Sequence, residues 1–372
     1  MTDNNLQAFY EILRAGLWKQ NALLSNFGFV DYNELYRLSE EQTILGIMTA
    51  GLANVKDVKI PQDVLLDFIE ISLQLEYENI AMNKYIVELQ RELRAVGIYS
   101  ILLKGQGIAQ CYDQPLWRKA GDIDLLLDEE GFEKAKRLLL HRAQHVEKNY
   151  DFFKHIEIFL DGWCVELHGT LHGRLSKRID NILDEIQKKM LTKGVNRVWN
   201  DDDTDVYLPK PDDDAIFVFC HILHHFFFEG VGLRQICDWC RLLWTYHDEI
   251  DVELLEHRLR AMALMTEWRS FSAYAVEWLG MPTEAMPLYV ENLHWSKKAE
   301  KISYIVLKTG NFGYNQVRNS FCQKYSLLRK CESLWICLGL LFRHFSIFPI
   351  DSVLFFIQVI KSAFKQHMEK QK

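Results

Sequence analysis

The sequence has little of what marks a secreted protein. Its 8 cysteines are scattered along the chain, and the CxxC spacing from Cys237 to Cys240 has no second pair beside it. This usage favours free or buried thiols in a reducing compartment over a disulfide framework. Residues 1–5 are polar and lack the basic and then apolar segments of a signal peptide. We therefore expect a cytoplasmic protein.

The sequence also lacks a hydrophobic run long enough to cross a membrane, which takes about 20 apolar residues. Two strongly apolar segments, 333–342 and 352–360, are shorter, and Arg343, His344 and Asp351 interrupt the surrounding sequence. We interpret both segments as buried core helices, with peripheral membrane contact as the alternative. No transmembrane segment is predicted.

Positive charge is also in short supply. The 43 basic residues stand against 51 acidic ones, a formal net charge of −8, so nothing indicates a general affinity for nucleic acid or anionic membranes. A local basic patch would still be compatible with an RNA or DNA partner. What the chain does have is length and apolar content, with 372 residues, 49% hydrophobic and 13% aromatic. These values are typical of a well-packed globular protein of two or three domains.

The N-terminal part of the chain has helical patterns. Apolar residues recur at helical spacing over 6–17, and Ser39 begins a capping-box pattern before Ile44. Pro61 opens a long helix that Gly97 ends, in keeping with the preference for proline at helix starts and glycine after helix ends.

After this helix the pattern changes to short β runs. Strands are predicted at 98–103, 122–127, 152–160 and 163–168, and helices at 108–112 and 132–140. The dipeptide Asp161-Gly162 between the last two strands is suited to a two-residue type I′ turn. Beyond Gly173 the chain becomes helical again, except for an extended piece at 206–208.

These elements predict an α+β fold, in which a small mixed β-sheet core is flanked by helices on both sides in the sequence. The expected regions are an N-terminal helical region over 1–97, an α/β core over 98–190 and a C-terminal helical domain over 191–372.

Two carboxylates lie two residues apart in the predicted strand at 122–127. Side chains at i and i+2 of a strand point to the same face, so Asp122 and Asp124 project together. Like charges side by side repel each other and are costly to desolvate. A divalent cation removes that cost, because Mg²⁺ binds one or two carboxylates together with substrate phosphates. We therefore interpret the pair as a metal site rather than as a solvated strand end.

Three short motifs in this core resemble one family. They are Leu103-Lys104-Gly105, Arg118-x-x-Gly121-Asp122-Ile123-Asp124-Leu125-Leu126 and Val165-Glu166-Leu167-His168. Together they resemble the uncharacterised bacterial nucleotidyltransferase family with an LKG…R..GDIDLL…ELH pattern, within the superfamily related to DNA polymerase β. His221, Leu233-Arg234 and Cys237-Asp238 resemble a late helical element of that family.

The resemblance implies two-metal nucleotidyl transfer. Asp122 and Asp124 would hold Mg²⁺ or Mn²⁺ against the triphosphate of an NTP, and Glu166 would position a second metal or activate the acceptor hydroxyl. The nucleotide-binding residues that it implies are Lys104, Gly105, Gln106, Gly107, Arg118, Gly121 and His168. The first four stand where the superfamily carries Gly-Ser, and backbone N–H groups and the lysine cation can replace the missing hydroxyl.

Several other titratable residues have both a structural and a functional interpretation. His221 and His225 share a helical face, as zinc ligands do, but packing of these residues and His224 among neighbouring phenylalanines is the simpler explanation. Arg234 and Asp238 are predicted to form an i, i+4 ion pair within a helix.

Two further residues border the motifs. Arg118 either contacts phosphate or is solvated or paired with Asp122. His155 alternates with Glu157 on the first hairpin strand, and we interpret both as structural. On its own strand, Glu166 shares a face with His168, which makes that histidine a neighbour of the acidic site.

Three functions fit the sequence. The first is a metal-dependent nucleotidyltransferase that moves an NMP from an NTP to an acceptor, and the net charge favours a small molecule or a protein as that acceptor over a polynucleotide. The second is a catalytically inactive nucleotide-binding or scaffold protein of the same fold. The third is an HD-type phosphohydrolase that uses His221, His224 or His225, and His247-Asp248, but it lacks a well-placed second aspartate.

Overall fold

A computed structural model of the chain describes residues 3–146, 154–173, 175–201, 203–228, 230–311, 339 and 341–357. It confirms the predicted α+β class. A five-stranded mixed sheet lies in the first half of the chain, with helices before it and after it in the sequence.

The helices of the described part are α1 (Asp3–Trp18), α2 (Tyr32–Glu41), α3 (Leu45–Leu52), α4 (Gln62–Ala95), α5 (Gly105–Ala109), α6 (Glu129–Leu140), α7 (Lys177–Met190), α8 (Pro211–Phe228), α9 (Leu233–Thr245), α10 (Val252–Met262), α11 (Met265–Glu277) and α12 (Leu293–Thr309). The strands are β1 (Ser100–Leu103), β2 (Ile123–Leu127), β3 (His145–Val146), β4 (His155–Leu160), β5 (Trp163–His168), β6 (Arg197–Asp201) and β7 (Thr204–Leu208).

Helix α4 confirms the long helix that was predicted between Pro61 and Gly97. Pro61 is its N-cap residue, where its fixed φ leads the chain into the helix, and Asp63 lies in the first turn, where a negative charge favours the helix dipole. The chain leaves the helix through Gly97, whose φ of 79° is easily adopted by glycine.

The predicted capping box at Ser39 is wrong. Ser39 lies inside α2, and its hydroxyl donates a hydrogen bond to the carbonyl oxygen of Leu35 one turn back. The N-cap of α2 is Asp31, whose carboxylate accepts from two backbone N–H groups of the first turn. Serine bonds to the backbone both at a helix start, where its oxygen accepts from an N–H group, and inside a helix, where its hydroxyl donates to a carbonyl, so the motif alone does not fix the boundary.

The five-stranded sheet has the order β1-β2-β5-β4-β3. β2 pairs antiparallel with β1 and parallel with β5, and β5 pairs antiparallel with β4. The turn between β4 and β5 has positive φ at Asp161 (51°) and Gly162 (87°), which confirms the type I′ turn. Residues 152 and 153 of the predicted first hairpin strand lie outside the described residues.

The strands alternate between an apolar face and a polar face. Ile123, Leu125, Val165 and Leu167 are at most 1% exposed and pack with apolar residues of α4 and α6 in one hydrophobic cluster. The intervening residues of β2 and β5 therefore turn to the opposite face. This face carries the predicted carboxylates.

The hairpin β6–β7 forms a separate two-stranded sheet. β7 contains the extended piece predicted at 206–208, but β6 lies in a stretch that was expected to be helical, so that expectation is wrong. Val206 and Leu208 are buried in the cluster shared with α4, whereas Val198 of β6 is 52% exposed. Half-exposed strands carry a weak hydrophobic pattern, which explains the missed strand.

The helices at the two ends of the chain share one hydrophobic core. The Tyr10 hydroxyl of α1 lies 3.0 Å from the Tyr274 hydroxyl of α11 and 2.8 Å from Ser303 Oγ of α12. Apolar residues of α1, α3, α8, α9, α11 and α12 belong to the same cluster. The division into three regions remains a prediction. Helix α1 of the first region packs directly against α11 and α12 of the third.

The predicted C-terminal helices are only partly described. Of the segment 333–342, only 339, 341 and 342 belong to the described residues. Residues 349–357 are helical, with Phe355 5% exposed. The expected burial holds for only one side of this helix, because Val353 and Leu354 are 41% and 40% exposed. No helix among the described residues is long and apolar enough to cross a membrane.

Candidate active site

The sheet brings the three predicted carboxylates together on its polar face. Asp124 of β2 and Glu166 of β5 are partners in the parallel register, and Asp122 precedes β2 by one residue. Asp124 is 5% exposed, whereas Asp122 remains open to solvent. Burial and the neighbouring charges of Glu166 and Asp124 raise the pKa of Asp122 above its ordinary value. Such crowding is typical of a site that holds a cation.

Two cationic side chains contact Asp124. Lys104 Nζ and His168 Nε2 each lie 2.8 Å from Asp124 Oδ1. Burial lowers the pKa of His168, but its hydrogen bonds with Asp124 and Glu166 outweigh burial and raise it to about 9. His168 is therefore protonated at neutral pH in the absence of a bound metal.

Glu166 is held by two histidines. Its Oε2 atom lies 3.2 Å from His155 Nε2 and 3.3 Å from His168 Nε2. Burial alone would raise the pKa of Glu166, but hydrogen bonds from both histidines hold it well below its ordinary value. His155 was expected to be structural, and it instead belongs to the polar cluster.

The loop after β1 positions Lys104 by an unusual backbone conformation. Lys104 and Gly105 both have positive φ, 49° and 42°, and such a value is strained for lysine. The Gln106 side chain turns away from the carboxylates and donates to Asn79 and Asn83 of α4. A role of that side chain in nucleotide binding therefore has no support in this geometry.

Gly107 also has a packing role. A Cβ atom at this position would lie 2.8 Å from Leu208 Cδ2, so glycine permits the close approach of β7. Of the four predicted loop residues, Lys104 and Gly105 border the site, whereas Gln106 and Gly107 pack against neighbouring elements.

A cavity of about 90 Å³ adjoins the carboxylates. Its walls are formed by Lys104, Gly105, Ile108, Arg118, Gly121, Asp122, Asp124, Val218, His221, Ile222, Arg234, Gln235 and Asp238. Three buried nitrogen atoms of the wall, Arg118 Nη1, Arg234 Nε and Gln235 Nε2, have no hydrogen-bond partner in the part of the chain that the structure describes. Buried donors without partners are costly, so these three nitrogens are available to an acceptor.

Arg118 forms a buried ion pair on the wall of this cavity. Its Nε and Nη2 atoms lie 3.1 and 2.6 Å from the two carboxylate oxygens of Asp238, and the Tyr112 hydroxyl donates to the same carboxylate. The expectation that Arg118 is solvated or paired with Asp122 is therefore wrong. So is the expected ion pair of Asp238 with Arg234, because Arg234 Nη1 donates to the carbonyl oxygen of Lys119.

Residues 29–280 match the family model described as "uncharacterised nucleotidyltransferase". The match covers more than half of the 372-residue chain and includes every residue that lines the smaller cavity. The chain belongs to this nucleotidyltransferase family. No curated protein matches the chain.

Residues of the candidate site fit a divalent cation. Asp122 and Glu166 offer neighbouring carboxylate oxygens, which Mg²⁺ and Mn²⁺ prefer as ligands, whereas Asp124 Oδ1 is paired with Lys104 and His168. The ligand atoms of Asp122, Cys164 and Glu166 lie within 4.8 Å of one another, as do those of His155, Glu166 and His168. Glu166 is therefore common to an oxygen-rich group and a histidine-rich group.

The histidines of α8 pack as expected. His221 and His225 contact each other through their Nε2 atoms at 3.1 Å, and His224 Nδ1 lies 2.6 Å from the carbonyl oxygen of Gly173. The rings of Phe217 and Phe228 lie against those of His221 and His224 in tilted arrangements. Burial lowers the pKa of His221 well below its ordinary value, so this residue lines the cavity as a neutral group.

Two other residue pairs lie away from the carboxylates. His247 and Asp248 occupy an exposed turn after α9, which gives the phosphohydrolase alternative no support. Cys237 and Cys240 are free thiols buried on α9, and burial raises the pKa of both. They are thiols on a helix, as predicted.

A larger cavity, of about 350 Å³, lies among α1, α3 and the loop before β2. Arg118 lines both cavities, but none of the three carboxylates lines the larger one. Volume alone therefore does not locate the site, and we assign it to the smaller cavity because the ionisable groups converge there.

Sequence reasoning missed Tyr112 and Gln235. Neither residue belongs to a motif. Gln235 lines the cavity, and Tyr112 reaches its wall through the hydrogen bond that it donates to Asp238. His155 had a weak signal, because it alternates with Glu157 on a strand next to Glu166.

Proposed function

We propose that the protein is a metal-dependent nucleotidyltransferase that transfers an NMP from an NTP to a small-molecule or protein acceptor. One observation carries this proposal. Asp122 and Asp124 line a cavity beside Glu166, the register partner of Asp124, and Arg118, Arg234 and Gln235 line the same cavity with buried nitrogens that have no partner among the described residues. Carboxylates suit a divalent cation, and the donors suit phosphate oxygens.

Asp122, Asp124 and Glu166 would hold Mg²⁺ or Mn²⁺. When bound, the metal neutralises charge on the triphosphate and orients the in-line displacement. Lys104 lies against Asp124 on the same side of the cavity and adds a positive charge close to the phosphates. The Lys104 cation would take the place of the serine hydroxyl that the Gly-Ser turn of the wider superfamily supplies.

Arg118 and Arg234, which line the same cavity, would bind the phosphates. Burial and the neighbouring charge of Arg118 lower the pKa of Arg234 to about 10, which still leaves the guanidinium charged at neutral pH. Two cations close together in a buried wall are stabilised by an anion between them. Asp238 neutralises one of them in the absence of substrate.

A nucleotide screen tests this proposal. We expect one of the four NTPs with Mg²⁺ or Mn²⁺ to raise Tm, since ligand at about a hundred times its Kd stabilises by about 2.7 kcal/mol. Release of pyrophosphate in the presence of an acceptor extract would show the chemistry. Asp122→Asn and Asp124→Asn should abolish the release, whereas Asp248→Asn, in the exposed turn, should leave it unchanged.

The inactive alternative makes a different prediction. A scaffold protein of the same fold would bind nucleotide and shift Tm without releasing pyrophosphate, and Lys104 and His168 already neutralise Asp124 without a metal. Metal-dependent NTP consumption that survives both Asp→Asn changes would contradict the assignment of the carboxylates. A flat response to every nucleotide would contradict nucleotide binding itself.

A further inference from the structure

A second group of ligand atoms lies beside the carboxylates, on strands β4 and β5. His155 and His168 are partners in the antiparallel register, and Glu166 shares a face with His168. The two imidazole rings are stacked with their centroids 4.7 Å apart. The nitrogen atoms Nε2 of both rings point to Glu166 Oε2, at 3.2 and 3.3 Å.

These separations are close to those between neighbouring ligands of a metal ion. Ligand atoms held about 2.1 Å from a metal are about 3.0 Å apart in an octahedron and about 3.4 Å apart in a tetrahedron. All three ligand atoms lie within 4.8 Å of one another. Two ligand atoms on opposite sides of a metal, each about 2.1 Å from it, are about 4.2 Å apart. The three ligand atoms therefore need to move only slightly closer together to bind an ion.

The donor set differs in chemistry from the Asp122 side of the site. Mg²⁺ takes oxygen ligands, whereas imidazole nitrogen suits zinc, iron, cobalt and related ions. Two histidines and one carboxylate on paired strands form a mixed set that Mg²⁺ does not favour. The strands are hydrogen-bonded along their length, which fixes the three side chains relative to one another.

We propose that His155, Glu166 and His168 bind one divalent transition-metal ion. This group shares Glu166 with the carboxylate site, but its two histidine ligands and its class of metal differ, so the inference goes beyond the proposed nucleotidyl transfer. His168 coordinates as a neutral imidazole, and binding displaces the proton that its Nε2 atom shares with Asp124 and Glu166. Asp124 Oδ1, 2.8 Å from the same nitrogen, is available as a fourth ligand.

Cobalt is a suitable probe because its visible spectrum reports nitrogen ligands. We expect the metal-free full chain, without a histidine tag, to bind one Co²⁺ with visible absorption bands that excess Mg²⁺ does not remove. His155→Gln and His168→Gln should each weaken Co²⁺ binding at least tenfold. The matched control is His172→Gln, because His172 also pairs with a carboxylate, that of Asp184, but lies outside the group. Affinity unchanged in both variants would overturn the inference.

X-ray absorption of the Zn²⁺-loaded wild-type chain tests the same point without any variant. We expect two imidazoles among the ligands at about 2.0–2.1 Å. A sulfur ligand would assign the ion to Asp122, Cys164 and Glu166 instead, and oxygen-only ligation would exclude the histidines. Either result overturns the proposal.

Asp122→Asn separates the two proposals. It should abolish Mg²⁺-dependent pyrophosphate release and leave Co²⁺ affinity within twofold of wild type. If pyrophosphate release is normal in the wild type but no Co²⁺ binds, the transition-metal site fails and the nucleotidyltransferase assignment stands.

Discussion

At the scale of single residues, the most consequential feature is the buried pair of Arg118 and Asp238. Both side chains are 5% exposed, and Tyr112 donates a further hydrogen bond to the carboxylate. A buried ion pair adds little to the stability of the fold compared with an apolar pair of the same size. Removing one partner, however, leaves a buried charge without its counter-ion. The pair therefore fixes the wall of the cavity.

Asp238→Ala should lower the free energy of unfolding by about 3–5 kcal/mol, because it leaves the Arg118 guanidinium buried without its counter-ion. Urea denaturation measures this change. The control is Glu78→Ala, which removes an ion pair with Lys119 whose side chains are 38% and 46% exposed. Exposed pairs contribute about 0–1 kcal/mol, so equal losses in the two variants would contradict the structural role of Asp238.

At the scale of elements, α1 and α3 pack with their backbones in contact. A Cβ atom on Gly51 would overlap the carbonyl oxygen of Ile12, and one on Gly16 would overlap that of Ile47. These glycines lie inside helices, where alanine would otherwise be preferred. Their presence is explained by the close approach of the two helices.

Gly51→Ala should destabilise the protein by about 3 kcal/mol or more, because overlap with a backbone atom forces the helices apart. Thermal and urea unfolding measure the loss. Gly173→Ala is the matched control, since the nearest atoms to a Cβ there lie 4.0 Å away. If Gly51→Ala instead gains stability, as helix propensity alone predicts, the close packing of α1 and α3 is wrong.

The helix at 349–357 docks on α11 through a pair of acids. Glu267 is 1% exposed, and burial followed by the charge and hydrogen bond of Asp351 raises its pKa well above the ordinary value. Lys298 of α12 is the cation that faces this pair. A protonated Glu267 can donate to Asp351, whereas two ionised carboxylates repel each other.

Stability should therefore depend on pH through Glu267. Because its pKa is raised in the folded state, its stabilising contribution is complete below the ordinary pKa of about 4.3 and is lost as pH rises through the raised pKa. Glu267→Gln stays neutral, so its Tm should rise relative to wild type as pH increases from 5 to 8. Glu291→Gln, at an exposed position, should track wild type. Parallel curves for wild type and Glu267→Gln would exclude the raised pKa.

At the scale of the whole molecule, one core joins the ends of the chain. Phe9, Tyr10 and Leu13 of α1 are at most 1% exposed, and α12 contributes Ile302 and Val306 at 0%. The family match, over 29–280, begins after α1 and ends before α12. The match to the family thus leaves out two helices that complete the core of this protein.

A fragment of residues 29–280 should not fold cooperatively, because removal of α1 and α12 exposes the apolar surface of α11 and leaves Tyr274 without its hydrogen-bond partners. Circular dichroism melting and size-exclusion chromatography measure this outcome. The control fragment, 1–357, keeps every described residue of the core and should melt as the full chain does. Cooperative melting of 29–280 at the Tm of the full chain would show that the core is confined to the matched segment.

The sequence by itself determined the local features of this protein. Strand alternation set Asp122 and Asp124 on one side, Asp161-Gly162 set the hairpin, and Pro61 set the start of α4. Each depends on residues a few positions apart, where backbone sterics and side-chain periodicity act directly. For the same reason the sequence predicted that these two aspartates share a face.

Only the tertiary structure decided which charged groups pair with each other around the cavity. Arg118 and Asp238 are 120 positions apart, and the predicted partner of Asp238, Arg234, was one helical turn away. Local spacing favours the near partner, but packing of α9 against the loop before β2 brings the distant one into a bidentate geometry. The free energy of desolvating a charge depends on the final packing of the whole chain, and no short sequence pattern records it.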